Sequence, residues 1–252
     1  MISICRYTST KQDEWDEFVK VSKNGTFLFL RAYMDYHSDR FQDHSMMYYS
    51  EKGKLIALLP ANGPSKSPLK GDFTHGEADI ALASSPFKGD KKGSFYSHQG
   101  LTYGGFILAP KIHMAEVEEL FSTTLSYLRE NGFKEWHYKQ IPHIYHLLPS
   151  QEEDYCLWLH KATLEACNMM TAIDFTSPMD DICSSRKRTY HKKLNRQGYT
   201  ITIDAEISDF WPILENNLME RFHSHPVHTL EEIELLKKRF PQNIVCYSIL
   251  GE

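Results

Sequence analysis

The stretch Trp136-His137-Tyr138-Lys139-Gln140-Ile141-Pro142-His143-Ile144-Tyr145-His146 places three histidines, two tyrosines and a lysine within eleven residues. Imidazole, phenol and amine groups are the side chains that move protons in general acid–base chemistry. If residues 136–140 alternate as a strand, Tyr138 and Gln140 face one side and His137 and Lys139 the other. A histidine or tyrosine at the end of such a strand can take a proton from an attacking amine, or return one to a leaving thiolate. Lys139, His143 and Tyr145 are the candidate catalytic residues on this reading. The plainer alternative is that these aromatics and histidines pack and face solvent.

Three other stretches have chemical content. In Ser97-His98-Gln99-Gly100-Leu101-Thr102-Tyr103-Gly104-Gly105-Phe106, His98, Tyr103, Gly104 and Gly105 are candidate substrate-binding residues, because glycines let a ligand approach the backbone closely. A bulged strand and an ordinary turn would explain the same residues. Residues 186–196 carry six Lys or Arg. On a helix, Arg188, Lys192 and Arg196 share an edge, with Arg186 near it, and could meet the phosphates of a nucleotide, coenzyme A or tRNA. A solvated helix face is the default for such a run. His223, His225 and His228 lie close together, but Pro226 spoils any regular ligand spacing, so no metal is expected. No nucleophile-elbow motif occurs, and covalent catalysis is not expected.

These residues need elements to position them. Ile2–Tyr7 reads as a strand, followed by a helix capped by Thr10 with Trp15, Phe18 and Val19 on its inner side. Phe27–His37, running on to Phe41, suggests a second short helix. Ser45–Ser50 and Leu55–Pro60 read as a hairpin. Residues 62–97, rich in Gly, Pro, Lys and Ser, read as a long loop, either a surface decoration or a lid. Met114, Val117, Phe121, Leu125 and Leu128 mark an amphipathic helix that stops at Asn131-Gly132. Phe133–Ile141 alternates as a strand, His143–Pro149 reads as a turn, and Tyr155–Leu159 and Met170–Phe175 are further strand candidates. Ser177-Pro178 looks like a helix start, with Ile182, Tyr190 and Leu194 in its stripe. Tyr199–Asp204 is a strand. Ser208 is the expected cap of the next helix, and Thr229 with Glu232 makes a capping box for the last one. Ile244–Leu250 is a strand entering a turn at Gly251-Glu252, with no return strand after it.

The bulk properties exclude several classes. The chain of 252 residues is 41% hydrophobic and 24% charged, which suits a globular α/β protein of one large or two ordinary domains. A net charge of −5 gives no global attraction to nucleic acid or acidic membranes. Five dispersed cysteines suggest free thiols in a reducing compartment. The N-terminus lacks a signal-peptide core and no apolar run reaches membrane-spanning length, so a cytoplasmic location is expected.

The two ends of the chain resemble each other. Each reads strand, Trp-bearing helix, second helix, strand, and at an offset of 199 Arg40 meets Arg239, Phe41 meets Phe240 and Tyr48 meets Tyr247. An internal duplication is expected: a first domain over residues 1–166, and an incomplete second copy over 167–252.

The order strand, two helices, hairpin, glycine turn, helix, strand is similar to the GNAT acyltransferase superfamily. The nearer resemblance is to its two-domain FemAB-like branch. The stretches that carry it are NGTFLFLRAYMDYHSDRF, SHQGLTYGGF, YKQIPHIYH, SSRKRTYHKKLNRQGY and HPVHTLEEIELL. The resemblance implies an α/β fold with a mixed sheet, and transfer of an acyl group from a thioester or aminoacyl donor to an amine on a small molecule or peptide. Acetyl-CoA or another acyl-CoA is the implied donor, its pyrophosphate on free amides of a glycine-rich turn that opens a helix. Here Tyr103-Gly104-Gly105-Phe106 stands at that place, and Ile107 to Pro110 intervene before the helix. No Arg-x-x-Gly-x-Gly run is present. In two-domain relatives the donor uses the second domain, whose cradle lies beyond Glu252. The competing expectation is a non-catalytic GNAT-like module that binds a glycan, peptide or protein. RNA recognition through residues 186–196 is a third and weaker one.

Overall fold

The computed structural model describes residues 1–63, 93–178 and 182–250. The chain divides into two compact units, Met1–Ala166 and Cys167–Glu252. The first is built on an antiparallel sheet of β1 (Ser3–Arg6), β2 (Met46–Tyr49), β3 (Leu55–Leu59) and β5 (Ile107–Leu108), in the order β1-β2-β3-β5. A parallel pair, β4 (Ser94–Tyr96) with β6 (Glu135–His137), stands as a separate small sheet.

The four-stranded sheet is covered on both faces, which is why its strands are apolar at consecutive rather than alternate positions. Met46, Tyr48, Ala57, Leu59 and Leu108 point to one core with Val117, Leu120 and Phe121 of helix α3 (Met114–Glu130). Met47, Leu58 and Ile107 point to the other, with Trp15, Phe18 and Val19 of helix α1 (Gln12–Val21). Each fully buried side chain of this size contributes about 1.5–3 kcal/mol. Tyr48 satisfies its buried hydroxyl on Thr124 Oγ1 at 2.7 Å.

Several expectations need correcting. Helix α1 begins after Lys11, with no side-chain cap; Thr10 sits in a preceding 3₁₀ turn and bonds Thr8. The helix expected over residues 27–41 is three short turns, Phe27–Phe29, Arg31–Met34 (α2) and Asp35–His37. Of the expected loop 62–97, residues 64–92 lie outside the described residues, but Ser94–Tyr96 is a buried strand anchored by paired bonds between Asn62 and Tyr96. The Phe133–Ile141 strand is confined to Glu135–His137, because Lys139 bonds Ser97 and Gly104 in place of a continuing ladder. Tyr155–Leu159 is not a strand but part of helix α4 (Glu152–Leu159). The run Glu152-Glu153-Asp154 in its first turn favours the helix N-terminus, and Glu153 and Cys156, three apart, face the core. Met170–Phe175 forms no strand.

In the second unit the basic run forms helix α5 (Ser185–Arg196), capped by Ser184 through the amide of Lys187. The start expected at Ser177-Pro178 runs into residues 179–181, outside the described residues. Strand β7 (Thr200–Ile203), helix α6 (Ile207–Phe222), helix α7 (Leu230–Arg239) and strand β8 (Tyr247–Leu250) follow. Glu206, not Ser208, is the N-cap residue of α6, while the Thr229–Glu232 capping box of α7 is present. The final strand does have a partner: β8 pairs antiparallel with β7. The turn expected at Gly251-Glu252 is outside the described residues.

The pairing of β7 with β8 keeps the register of β1 with β2. Ser3 faces Tyr49 and Ile4 faces Tyr48; Thr202 faces Ser248 and Ile203 faces Tyr247. Adding 199 to every member of the first two pairs yields the second two. The environments differ: Ile2 and Tyr48 are buried beneath α3, whereas their counterparts Ile201 and Tyr247 are 60% and 66% exposed.

Candidate functional site

A cleft of about 620 Å³ opens in the first unit between the start of α3 at Met114, the turn carrying His143 and His146, and the segment Pro149–Glu152 with Tyr155. Of the three successive acids at the head of α4, Glu152 lines it, and each of the three is bound to a different part of the chain. Glu152 accepts from Lys23 Nζ at 2.6 Å and from the Ser150 hydroxyl. Burial alone would raise its carboxyl, but these bonds bring it down to about 2. Asp154 accepts from Gln140 Nε2 at 2.6 Å through Oδ1, and its Oδ2 lies 3.2 Å from His143 Nε2. The His146 ring is centred 5.2 Å from that of His143, and burial followed by the neighbouring His143 holds it below the usual imidazole value.

Glu153 turns inward. It is 2% exposed, and its Oε1 accepts from the Phe106 amide at 3.1 Å and from the Tyr138 hydroxyl. Its other oxygen is buried without a hydrogen-bond partner. Desolvation lifts this carboxyl to about 7, against the bonds from Tyr138 and Phe106. Burial also lifts the Tyr138 phenol well above its ordinary value.

Of the residues expected to act, the structure brings only His143 to the cleft wall. Lys139 is turned away, donating from Nζ to Leu101 O at 2.7 Å, and burial lowers its pKa. Tyr145 stacks on Tyr103 with ring centres 5.1 Å apart. His98, Tyr103, Gly104 and Gly105 are all buried, and Tyr103 bonds Thr26. The glycines answer to packing. A Cβ on Gly104 would lie 1.9 Å from Ser97 O, and Gly105 has φ of +87° with the Tyr138 hydroxyl alongside. Gly104→Ala is therefore expected to lower stability by about 2–3 kcal/mol, since the obstacle is backbone and cannot swing aside. Denaturant unfolding measures it; a loss below about 0.5 kcal/mol would show that the backbone around Ser97 yields.

The same turn fails the test for a pyrophosphate cradle. The Gly104 amide donates to Lys139 O at 2.8 Å, and the Phe106 amide to Tyr138 and Glu153. At the start of α3, the His113 amide is taken by the carboxylate of Glu116, a charge that repels phosphate. The residues present here do not fit the pyrophosphate of an acyl-CoA.

In the second unit, Arg186, Lys192 and Arg196 are exposed on α5, whereas Arg188 folds back to Cys183 O at 2.7 Å. His223 is the left-handed cap of α6, and His228 lies 3.7 Å from Glu232. Cys156 is buried, and desolvation pushes its thiol up to about 11, the reverse of an activated nucleophile. No helix among the described residues is long and apolar enough to cross a membrane.

Sequence reasoning did not single out Glu152, Glu153, Asp154 or Ser150. The available signal was an acidic triplet ahead of an i, i+3 inward pair, which marks a helix N-terminus.

No model of a known family matches the chain, and no curated protein matches it. Among solved structures, it aligns with FemX over 98% of its own length at a TM-score of 0.53 and 12% identity. It spans 57% of the FemX chain. An aminoglycoside antibiotic 6'-N-acetyltransferase from Acinetobacter baumannii aligns over 69% of this chain and 98% of its own, at a TM-score of 0.36 and 8% identity, too distant to carry an argument. The mixed α/β fold is thus shared with FemX.

Proposed function

We propose that the chain takes part in acyl transfer to an amine, and that the cleft of the first unit receives the acceptor. The observation that carries this reading is His143 on the wall of a cleft, with an Asp154 oxygen 3.2 Å from its Nε2, in a fold shared with FemX. A bound amine would attack an acyl carbon directly, its nitrogen forming the new C–N bond while the donor's ester or thioester bond breaks. The proton released by the amine goes to the free ring nitrogen of His143. Lys139 and Tyr145, through Leu101 and Tyr103, hold the segment on which His143 stands. Peptide or small-molecule amines are the proposed acceptors, and a cytoplasmic location is part of the same reading.

The donor is proposed to engage elsewhere than the Tyr103–Phe106 turn, whose Gly104 and Phe106 amides are committed. Exposed Arg186, Lys192 and Arg196 offer charge for a phosphate-bearing donor such as an acyl-CoA, or less favourably an aminoacyl-tRNA. The shared register of the two sheets supports reading residues 167–252 as a repeat of the opening elements of the first domain.

The test is transfer to a panel of primary amines from acetyl-CoA and from aminoacyl-tRNA, with thermal shifts for each donor. His143→Ala is expected to reduce transfer about a hundredfold while leaving the melting temperature unchanged, because this half-exposed ring supports little of the core. The absence of both turnover and donor-induced stabilisation would end the acyltransferase reading. It would favour the second one, a FemX-like module that binds a peptide or glycan without chemistry, which the internally bonded glycine turn independently favours.

A further inference from the structure

The repeated strand register leaves one sheet face of the second unit bare. In the pairing of β7 with β8, Ile201 stands opposite Ile249 and Ile203 opposite Tyr247. Directly opposed residues and residues two apart share a face, so these four side chains form one apolar cluster. All four are between 60% and 67% exposed, while Thr202 and Ser248 on the reverse face are half-buried. Their counterparts at the offset of 199 are Ile2, Ile4, Tyr48 and Ser50, three of them the same residue type. In the first unit that face is covered. Ile2 and Tyr48 are buried there, with Ile4 half-buried beside them, in one cluster with Val117, Leu120, Phe121 and Leu128 of α3. The contact has a polar point as well. Thr124 of α3 donates to Leu120 O at 2.6 Å, so its oxygen accepts from the buried Tyr48 hydroxyl, 2.7 Å away.

We propose that the face formed by Ile201, Ile203, Tyr247 and Ile249 is a docking surface for an amphipathic helix of a partner protein. That helix has apolar residues at the spacing of Val117, Leu120, Phe121 and Leu128, and a threonine or serine at the place of Thr124. The first unit gives the reason for this occupant, since the same residue types in the same register lie under a helix there. Four large side chains leave water when the stripe seats, which drives the association. The hydroxyl selects among helices. Tyr247, once covered, has a donor that needs an acceptor, and a wholly apolar stripe would bury it unpaired. A threonine or serine meets that need, as Thr124 does for Tyr48. A second copy laid face to face would bring only isoleucines and another Tyr247 to the contact. The surface involves no acyl donor and is tested apart from the transfer chemistry.

The probe is the α3 sequence itself, the 17 residues Met114–Glu130, as a synthetic peptide. It is added to the full chain carrying isotope-labelled isoleucine methyl groups. The methyl signals of Ile201, Ile203 and Ile249 are expected to move and saturate with a dissociation constant of about 100 µM. Binding is weak because a free peptide of this length must also order itself into a helix. Thr124→Val in the peptide and Tyr247→Phe in the protein should each weaken binding about three- to tenfold, and the two together no more than either alone. Ile201→Thr with Ile249→Thr, which keep the β-branch, should weaken it at least about tenfold. If that pair loosens the sheet instead, the Thr124→Val peptide against the unaltered chain decides alone. Signals unmoved at about 1 mM peptide would overturn the proposal. So would equal shifts from a peptide bearing Val117→Ser, Leu120→Ser and Phe121→Ser, or a Thr124→Val peptide that binds as well as the original. Signals that move with protein concentration in the absence of peptide would mean that a second copy covers the face, which overturns the helix as its occupant.

Discussion

Replacing Arg31 by alanine is expected to cost the first unit about 2–3 kcal/mol, because it removes a buried side chain with its charged hydrogen bonds, while the partner carboxylates of Asp35 and Asp43 are 43% and 38% exposed and stay solvated. Arg31 is 3% exposed although it sits in a four-residue helix near the surface. Its Nη2 binds Asp35 and, at 2.5 Å, Asp43, while Nη1 reaches Ser45 Oγ at 3.4 Å. The guanidinium carbon stands 3.8 Å from the centre of the Tyr7 ring and 5.3 Å from that of Trp15. One side chain thus ties α2 to the segment entering β2, to the end of β1 and to α1. Its removal takes the ion-pair partner from Asp35 and Asp43; burial already raises the Asp35 carboxyl in spite of Arg31. Arg31→Lys keeps the charge but loses the fork and the stacked plane, and should recover only about half of the loss. Hydrogen exchange at the amides of Met46–Tyr49 reads the stability of this unit directly. Protection in Arg31→Ala within tenfold of the wild type would mean that the cluster is a solvated surface arrangement.

Glu153→Gln is expected to make the protein more stable than the wild type above neutrality and indistinguishable from it below about pH 4. The Glu153 carboxyl sits at about 7 in the folded unit against an ordinary 4.5. Between these values the folded state binds more protons than the unfolded chain, so wild-type stability falls as pH rises through the window and levels off above about 7. The difference corresponds to about 3 kcal/mol. Glutamine has the shape of the protonated acid, can still accept from Tyr138 and Phe106, and has no charge to bury. Denaturant melts at half-unit pH intervals should give curves that coincide at the acid end and diverge toward pH 8. Curves that stay parallel throughout would mean that Glu153 is already ionised in the acid range. Since Glu153 is followed in α4 by Asp154, which faces His143, the same titration should be visible at the cleft as pH-dependent exchange of the α4 amides.

What the sequence determined by itself is the set of elements whose pattern is local. The apolar stripe of α3, the inner face of α1 at Trp15, Phe18 and Val19, the hairpin of β2 and β3 and the Thr229–Glu232 box all follow from spacing and capping within one turn or one strand. So does the offset of 199, which reappears as a shared strand register. His143 was legible as a chemical group for the same reason, since an imidazole after a proline-broken strand needs no partner to be noticed. What the tertiary structure decided lies in contacts between distant segments. Whether Gly104 and Gly105 admit a ligand or a neighbouring strand depends on Ser97 and Tyr138, and both glycines are filled from inside. Whether Lys139 faces substrate depends on Leu101, which takes its ammonium. The acids of α4 acquire three different characters because Lys23, Tyr138 and Gln140 arrive from three different parts of the chain. Burial and hydrogen bonding set the state of a polar group, and both are properties of its neighbours in space, which no local pattern of residues encodes.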